Sequence, residues 1–323
     1  MRMLKMGLLT LVTTICIADN VVAQPSPSKP INLVIPFPAG GGTDVIGRLL
    51  TQKVSAAMGR QILIENRPGA GGAIATEAVA RAVPDGDTLI LSTNSAHVIG
   101  PLLNTKLRYN PEVDFTPVVY LGAAPRLLLV TKSLPVKSLK DLVALAKVRP
   151  GALNYASNGV GTITHLTTEL FKSEVGISIE HIVYKGTTLA LTDLITGQVQ
   201  VIFESIVTGL PHVIDGKLRG LAITSLKRSA LAPHLATMSE AGVPNFEAST
   251  WFGVFGPKGL PGPVVTRLNA EFNRALTDAE VIDRLATLGT DPGGGTPSQL
   301  VSIVNSDWTK WQKVIRERIA LVP

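Results

Sequence analysis

Two glycine-rich segments and a handful of polar side chains carry most of the chemical potential of this chain. Pro36-Phe37-Pro38-Ala39-Gly40-Gly41-Gly42-Thr43-Asp44 and Ser157-Asn158-Gly159-Val160-Gly161-Thr162 each follow a short apolar run and lead into a helix-like pattern. A helix start offers unpaired backbone N–H groups and the positive end of the macrodipole, worth about 0.3–1 kcal/mol to an anion and ~2 when partly buried. Glycines let a ligand approach that backbone closely. Two such turns facing across a cleft would hold a small carboxylate between them. Gly-rich βα turns are also common where nothing binds, so the turns alone leave both readings open. Asp44 reads as a helix cap rather than a contact, because a bare carboxylate repels an anion. Lys185, in Tyr184-Lys185-Gly186-Thr187, either pairs with a carboxylate or is a solvated loop lysine.

The familiar catalytic and cofactor signatures fail. Gly40-Gly41-Gly42 is not GxGxxG, since Val45 stands where the third glycine is needed, and there is no GxxxxGK[ST]. Ser157 has Tyr155 two residues before it, so there is no GxSxG elbow. His97, His165, His181, His212 and His234 share no metal-ligand spacing, and the single Cys16 excludes a cysteine-built site. No cofactor and no metal are expected. The formal charge of +6 is scattered rather than clustered, which gives no footprint for nucleic acid.

The chain is 323 residues long and 45% hydrophobic, apolar enough to raise the question of a membrane span. Arg2 and Lys5, the apolar stretch Met6 to Ala18 and the small residues Val21-Val22-Ala23 have the layout of a secretory signal peptide cut after Ala23. The alternative is an uncleaved anchor or a buried helix. The apolar run is short of the roughly 20 residues a bilayer requires. Cys16 would leave with the leader.

Behind the leader, strands alternate with helices. Ile31 to Ile35, Gln61 to Glu65, Thr88 to Ser92, Leu153 to Ala156, Ile179 to Tyr184 and Val199 to Phe203 read as strands. Ile46, Leu49, Leu50, Val54, Ala57 and Met58 recur at helical spacing up to Gly59, and further helices are predicted up to Pro84, over Thr164 to Glu174 and around Leu189 to Ile195. Ser138-Leu139-Lys140-Asp141, Thr277 to Glu280 and Thr296 to Gln299 read as capping boxes. The last precedes a face of Leu300, Ile303, Val304, Asp307, Trp311, Ile315 and Ile319. Such alternation predicts α/β layering with mainly parallel sheets, and the two Gly-rich turns in separate halves suggest two α/β lobes.

Several ordered segments carry a specific resemblance. They are Lys29-Pro30-Ile31 with Val34 to Asp44, Glu65-Asn66-Arg67-Pro68-Gly69-Ala70-Gly71-Gly72, Pro84-Asp85-Gly86, Pro150-Gly151 with Leu153 to Ser157, and His165-Leu166. Tyr184-Lys185-Gly186, Asp193-Leu194 with Gly197, Glu240-Ala241-Gly242-Val243-Pro244 and Trp251-Phe252-Gly253 follow in order. Over nearly the whole mature chain this is similar to the Bug-family extracytoplasmic solute receptors, the substrate-binding components of tripartite tricarboxylate transporters. The resemblance implies a type II periplasmic binding protein fold: two α/β lobes joined by two crossing strands, with residues 24–124 plus 249–323 in one lobe and 125–248 in the other.

It also implies a function and a site. The protein would be a periplasmic, monomeric receptor, not an enzyme, that captures a small carboxylate for membrane transporter subunits. The loops Phe37 to Asp44 and Ser157 to Thr162 would hold a ligand carboxylate, largely through water, which makes Phe37, Ala39, Gly40, Gly41, Thr43, Asp44, Ser157, Asn158, Gly159 and Thr162 candidates. Asn94 and Ser95 would add contacts from the first lobe. His165 either touches ligand or orients its helix. Departures from the family pattern occur at Leu189, ahead of Ala190, and at Glu204-Ser205. Glu204 either reads an amine or hydroxyl or bonds loop amides. Two other functions use the same residues: an exported dehydratase or hydrolase with His165 and Glu204 as an acid–base pair, or a receptor feeding a sensor kinase.

Overall fold

The structure, a computed structural model, describes residues 29–318. The predicted leader, its cut after Ala23 and Ile319 lie outside the described residues.

The apolar run Ile31 to Ile35 becomes β1 (Ile31–Ile35), ended by Pro36 and paired in parallel with β2 (Ile62–Asn66) and β3 (Thr88–Thr93). The first long helix, α1 (Gly42–Met58), buries Ile46, Leu50, Val54 and Met58 against these strands and ends at Gly59 in the left-handed region. Gly47 lets it lie close, since a Cβ there would sit 2.9 Å from both Ile35 and Leu91 side chains. After α2 (Ala73–Ala80) and β3, a π-helical turn over Ser95–Ile99 leads into the short α3 (Gly100–Leu103).

The next strand, β4 (Phe115–Thr131), runs for 17 residues and serves two groups of strands. Up to Pro125 it pairs with the later segment Ser249–Pro257; from Arg126 onward it lies between Val201–Ser205 and Leu218–Ile223. Its length is not predicted from sequence. Pro117, Gly122 and Pro125 break the apolar pattern, and the strand absorbs this through register shifts at Pro117/Val119 and Tyr120/Gly122.

Beyond β4 a second parallel unit forms. β5 (Asn154–Ser157) pairs in parallel with β6 (Glu180–Val183) and β7 (Val201–Ser205). The helices of this part are α4 (Leu139–Val148), α5 (Ile163–Val175), α6 (Thr187–Thr196) and α7 (Ile206–Ile214). β8 (Leu218–Ile223) closes it, and residues 224–248 lead back to β9 (Ser249–Pro257), which pairs antiparallel with β3 and β4. α8 (Gly262–Leu276), α9 (Ala279–Thr287), β10 (Asp291–Pro292) and α10 (Pro297–Arg318) then return to the first unit. The strand order is β2-β1-β3-β9-β4-β7-β5-β6, parallel within each unit and antiparallel at the two crossing strands.

Two predicted capping boxes form, Ser138 with Asp141 and Thr296 with Gln299. At α9 the cap is Asp278, one residue later than Thr277, and its side chain accepts from Val281 N–H. Leu300 and Trp311 of α10 are fully buried, and Trp251 of β9 donates to Asp307 at 3.0 Å.

Candidate functional site

The loop between β1 and α1 is held by hydrogen bonds within the protein. The helix begins at Gly42 with Gly41 as an extended N-cap that makes no side-chain bond, so neither Thr43 nor Asp44 caps it. Asp44 instead reaches back from the first turn. Its Oδ2 accepts Gly40 N–H at 3.0 Å and Arg48 Nε at 2.9 Å, and its Oδ1 accepts Asn66 Nδ2 at 3.0 Å. The same amide donates to the Phe37 carbonyl at 3.1 Å, which pins the loop to the end of β2. Burial pushes the Asp44 pKa up, but the bonds from Arg48, Gly40 and Asn66 outweigh it and hold the carboxyl below its ordinary value.

In front of this loop lies a small cavity, part of it open to solvent. Gly41, Gly42 and Thr43 face it from α1, whose first N–H groups have no intrahelical acceptor. Across from them stand Ile163 of α5, Thr187 and Thr188 of α6, and Ser205, the N-cap of α7. Four helix starts therefore surround one small volume. Thr93 and Ser95 add hydroxyls from the end of β3, and the crossing strands supply Arg126, Thr250 and Phe252.

Arg126 is 3% exposed and tied on three sides. Its Nε and Nη2 donate to the Phe203 carbonyl at 3.0 and 2.7 Å, Nη2 also to Thr164 Oγ1 at 2.7 Å, and Nη1 to Thr250 Oγ1 at 2.7 Å. Burial lowers its pKa, partly offset by the charge of Glu204; a guanidinium stays charged regardless. Glu204 is 2% exposed, and its Oε1 accepts Ser205 N–H and Thr208 Oγ1, both at 2.8 Å, while Oε2 accepts a longer 3.4 Å bond from Thr187.

The two sides of the cleft touch. Ile163 N–H donates to Ser95 Oγ at 3.0 Å. A Cβ at Gly42 would lie 3.3 Å from Ser205 Oγ, and one at Gly186 would lie 2.6 Å from Pro38.

The profile described as "Tripartite tricarboxylate transporter family receptor" matches residues 46–320. The chain belongs to this family. It is 38% identical to protein BugT of Bordetella pertussis over 307 residues, covering 95% of this chain and 94% of BugT. Among solved structures it superposes with TM-score 0.88 on R. palustris Rpa4515 with adipate (38% identity, 90% of this chain, 97% of that one). The TM-score is 0.86 for MatC (Rpa3494) from Rhodopseudomonas palustris with bound malate (35% identity, 90% and 100%). The fold is accordingly the type II periplasmic binding protein fold, and the protein is a receptor of this transporter family rather than an enzyme.

Within this receptor the predicted residues fall into three groups. Phe37, Ala39, Gly41, Thr43, Ser95, Asn158 and Glu204 line the cavity described above. Gly159 and Lys185 face a second, larger space that opens beside it and shares Phe37, Pro38 and Asn158 with it. The buried Asn158 Oδ1 has no hydrogen-bond partner among the described residues.

The remaining candidates lie behind these walls. Gly40 and Asp44 shape the first loop. Asn94 donates to the Ser249 carbonyl at 2.8 Å and so joins β3 to the start of β9. Ser157 bonds His181 Nε2 at 2.6 Å, and Thr162 caps α5 and donates to the Gly159 carbonyl at 2.7 Å. His165 accepts Gly161 N–H at 3.4 Å and stacks on His181 with ring centres 4.4 Å apart. Burial lowers the pKa of both rings, His181 to about 4, and each also feels the other residues of the cluster, Glu169 and Lys172. No hydrogen bond joins His165 to Glu204 among the described residues. Sequence reasoning missed Arg126, Thr250, Thr187 and Thr188. The one available signal was a lone arginine in the apolar run Pro125-Arg126-Leu127-Leu128-Leu129-Val130.

Proposed function

We propose that this receptor captures a small organic acid in the cleft and delivers it to the membrane subunits of a tripartite tricarboxylate-type transporter. The observation that carries this reading is the convergence of the α1, α5, α6 and α7 starts on one cavity, an arrangement suited to an anion. Adipate and malate in its two structural relatives support a carboxylate as cargo. A carboxylate sits at the N–H groups of Gly41, Gly42 and Thr43, with Ser95 and Asn158 beside it. Residues 24–124 plus 249–323 form one lobe and 125–248 the other, a division supported by the change of β4 partners between Pro125 and Arg126. The protein acts as a monomer, and it reaches the periplasm behind a leader cut after Ala23.

Gly41→Asp tests this reading. Gly41 has φ −76° and no atom nearer than 3.5 Å to a built Cβ, so an aspartate fits there and is itself a good N-cap. Its charge opposes a bound carboxylate. Calorimetry should show affinity for organic acids falling at least ~30-fold, about 2 kcal/mol, with an unchanged melting temperature. Retained affinity, or a wild-type protein that binds no acid in a broad series, would sink the reading.

A further inference from the structure

Two stacked histidines stand behind the second glycine loop, and the capture of an acid gives them no role so far. Gly159 and Gly161 are buried and lie in the left-handed region, with φ 136° and 74°. Their N–H groups therefore need acceptors inside the protein. Gly159 N–H donates to Ser157 Oγ at 3.2 Å, and that hydroxyl is bonded to His181 Nε2 at 2.6 Å. Gly161 N–H donates to His165 Nδ1 at 3.4 Å. Both glycine amides thus end on an imidazole, one through a serine and one directly. The rings form a column: Tyr155 stacks on His181 with centres 4.6 Å apart, and His181 on His165 at 4.4 Å. The loop they support meets the glycines at the other wall of the cleft. A Cβ at Gly71 would lie 3.1 Å from the Val160 carbonyl, and one at Gly159 would lie 3.6 Å from Gly71 Cα.

We propose that His165 and His181 are positioning residues: they fix Gly159 and Gly161 so that the loop can close on a captured acid, and capture requires His165 Nδ1 to remain a hydrogen-bond acceptor. This rests on the capture of an organic acid proposed above. The bond from Gly161 uses the Nδ1 lone pair, so a neutral His165 carries its hydrogen on Nε2. A proton on Nδ1 would set two donors face to face and leave the buried Gly161 N–H without a partner. Burial lowers the pKa of both rings, His181 to about 4, which keeps them neutral at neutral pH. The nearest charges, Glu169 and Lys172 of α5, are bonded to each other at 2.8 Å and act on the rings in opposite senses. Glu169 also accepts from Tyr155 of β5. Other charged groups on neighbouring elements are Glu180 of β6, Glu204 of β7, Asp307 and Lys310 of α10, and Arg126 of β4, which bonds Thr164 beside His165. Among the described residues none of these bonds either ring.

The test is titration calorimetry on the full mature protein with adipate and with malate. His165→Leu removes the acceptor, and His165→Asn restores one in the place of Nδ1. Affinity should fall about tenfold or more in His165→Leu, the cost of an unpaired buried N–H, and stay within about threefold of wild type in His165→Asn. Equal losses in the two variants would assign the effect to ring packing and overturn the proposal, as would full affinity in His165→Leu. A second readout needs no variant to fold: proton NMR of the imidazole C–H signals in the wild type as pH is lowered from about 7.5 to 4. Saturating ligand should move the His165 midpoint down by about half a pH unit or more, because the bound form demands the neutral ring. An unmoved midpoint would make the pair structural only, and a raised one would mean that the ring attracts the acid by its charge. Either result would overturn the proposal while leaving capture of an acid intact. A wild-type protein that binds neither of these nor any other acid of a broad series would overturn both.

Discussion

Ser95 Oγ accepts the backbone N–H of Ile163 at 3.0 Å, and the two residues belong to opposite walls of the cleft. One follows the last strand of the first parallel unit; the other opens α5 in the second. The bond satisfies an otherwise unpaired helix-start N–H and, in the two-lobe receptor proposed above, forms only when the lobes close on a ligand.

Ser95→Ala removes the acceptor and leaves that buried N–H without a partner in the closed form, a cost of about 1–3 kcal/mol. Ligand affinity is expected to fall roughly tenfold, by the same arithmetic of ~1.4 kcal/mol per decade. Stability of the ligand-free protein, read by urea denaturation, should change much less. Equal losses in both measurements would show that the bond is not specific to closure.

Gly42→Val addresses closure without touching charge. Gly42 has ordinary helical backbone geometry, but a Cβ there stands 3.3 Å from Ser205 Oγ and 3.7 Å from Val207 across the cleft. The branched side chain should be harmless when the walls part and obstructive when they meet. Small-angle scattering with saturating ligand is expected to show no compaction, and affinity should drop more than about tenfold, about 1.4 kcal/mol. Normal compaction would disprove the close approach.

Asp44→Asn separates loop architecture from ligand contact. The carboxylate is held below its ordinary pKa, so its contribution to stability is full above the unfolded value near 4 and disappears as pH falls through the folded value. With Arg48 largely exposed, the loss at pH 7 should be about 1 kcal/mol. Below the lowered folded value wild type and variant should converge in thermal melts. A difference that persists there would point to a cause other than the charge.

The buried histidines give a different pH window. His181 titrates near 4 and His97 near 3 in the folded protein, both lowered by burial, while an unfolded histidine titrates near 6.5. The unfolded chain therefore binds more protons, and stability should decline as pH falls from about 6.5 towards 4, before the carboxylates titrate. His181→Gln should flatten that slope in a series of melts. An unaltered slope would assign the effect to other groups.

Much of the α/β alternation was legible because each parallel strand is a short apolar run cut off by Pro or Gly, and because Ser138 with Asp141 or Thr296 with Gln299 announce helix starts locally. The β1–α1 loop was legible for the same reason. What escaped was decided at long range. β4 reads as fragments until its partners 124 to 142 residues away supply the ladder across Pro117 and Gly122. Arg126 looks like any strand arginine until Thr250, Thr164 and Phe203 are folded around it. The starts of α6 and α7 face the cavity through the curl of the sheet, which no local spacing encodes.

The crossing of β4 and β9 also orders events in time. β3 (Thr88–Thr93) finds its antiparallel neighbour only at Phe252 to Phe255, so the first lobe lacks an inner strand until the chain beyond residue 248 is present. In a chain that emerges N-terminus first, the second lobe has its own strands β5 to β8 complete much earlier. The lobe that holds the first glycine loop should therefore be assembled last, and until then the β3 edge stays unpaired.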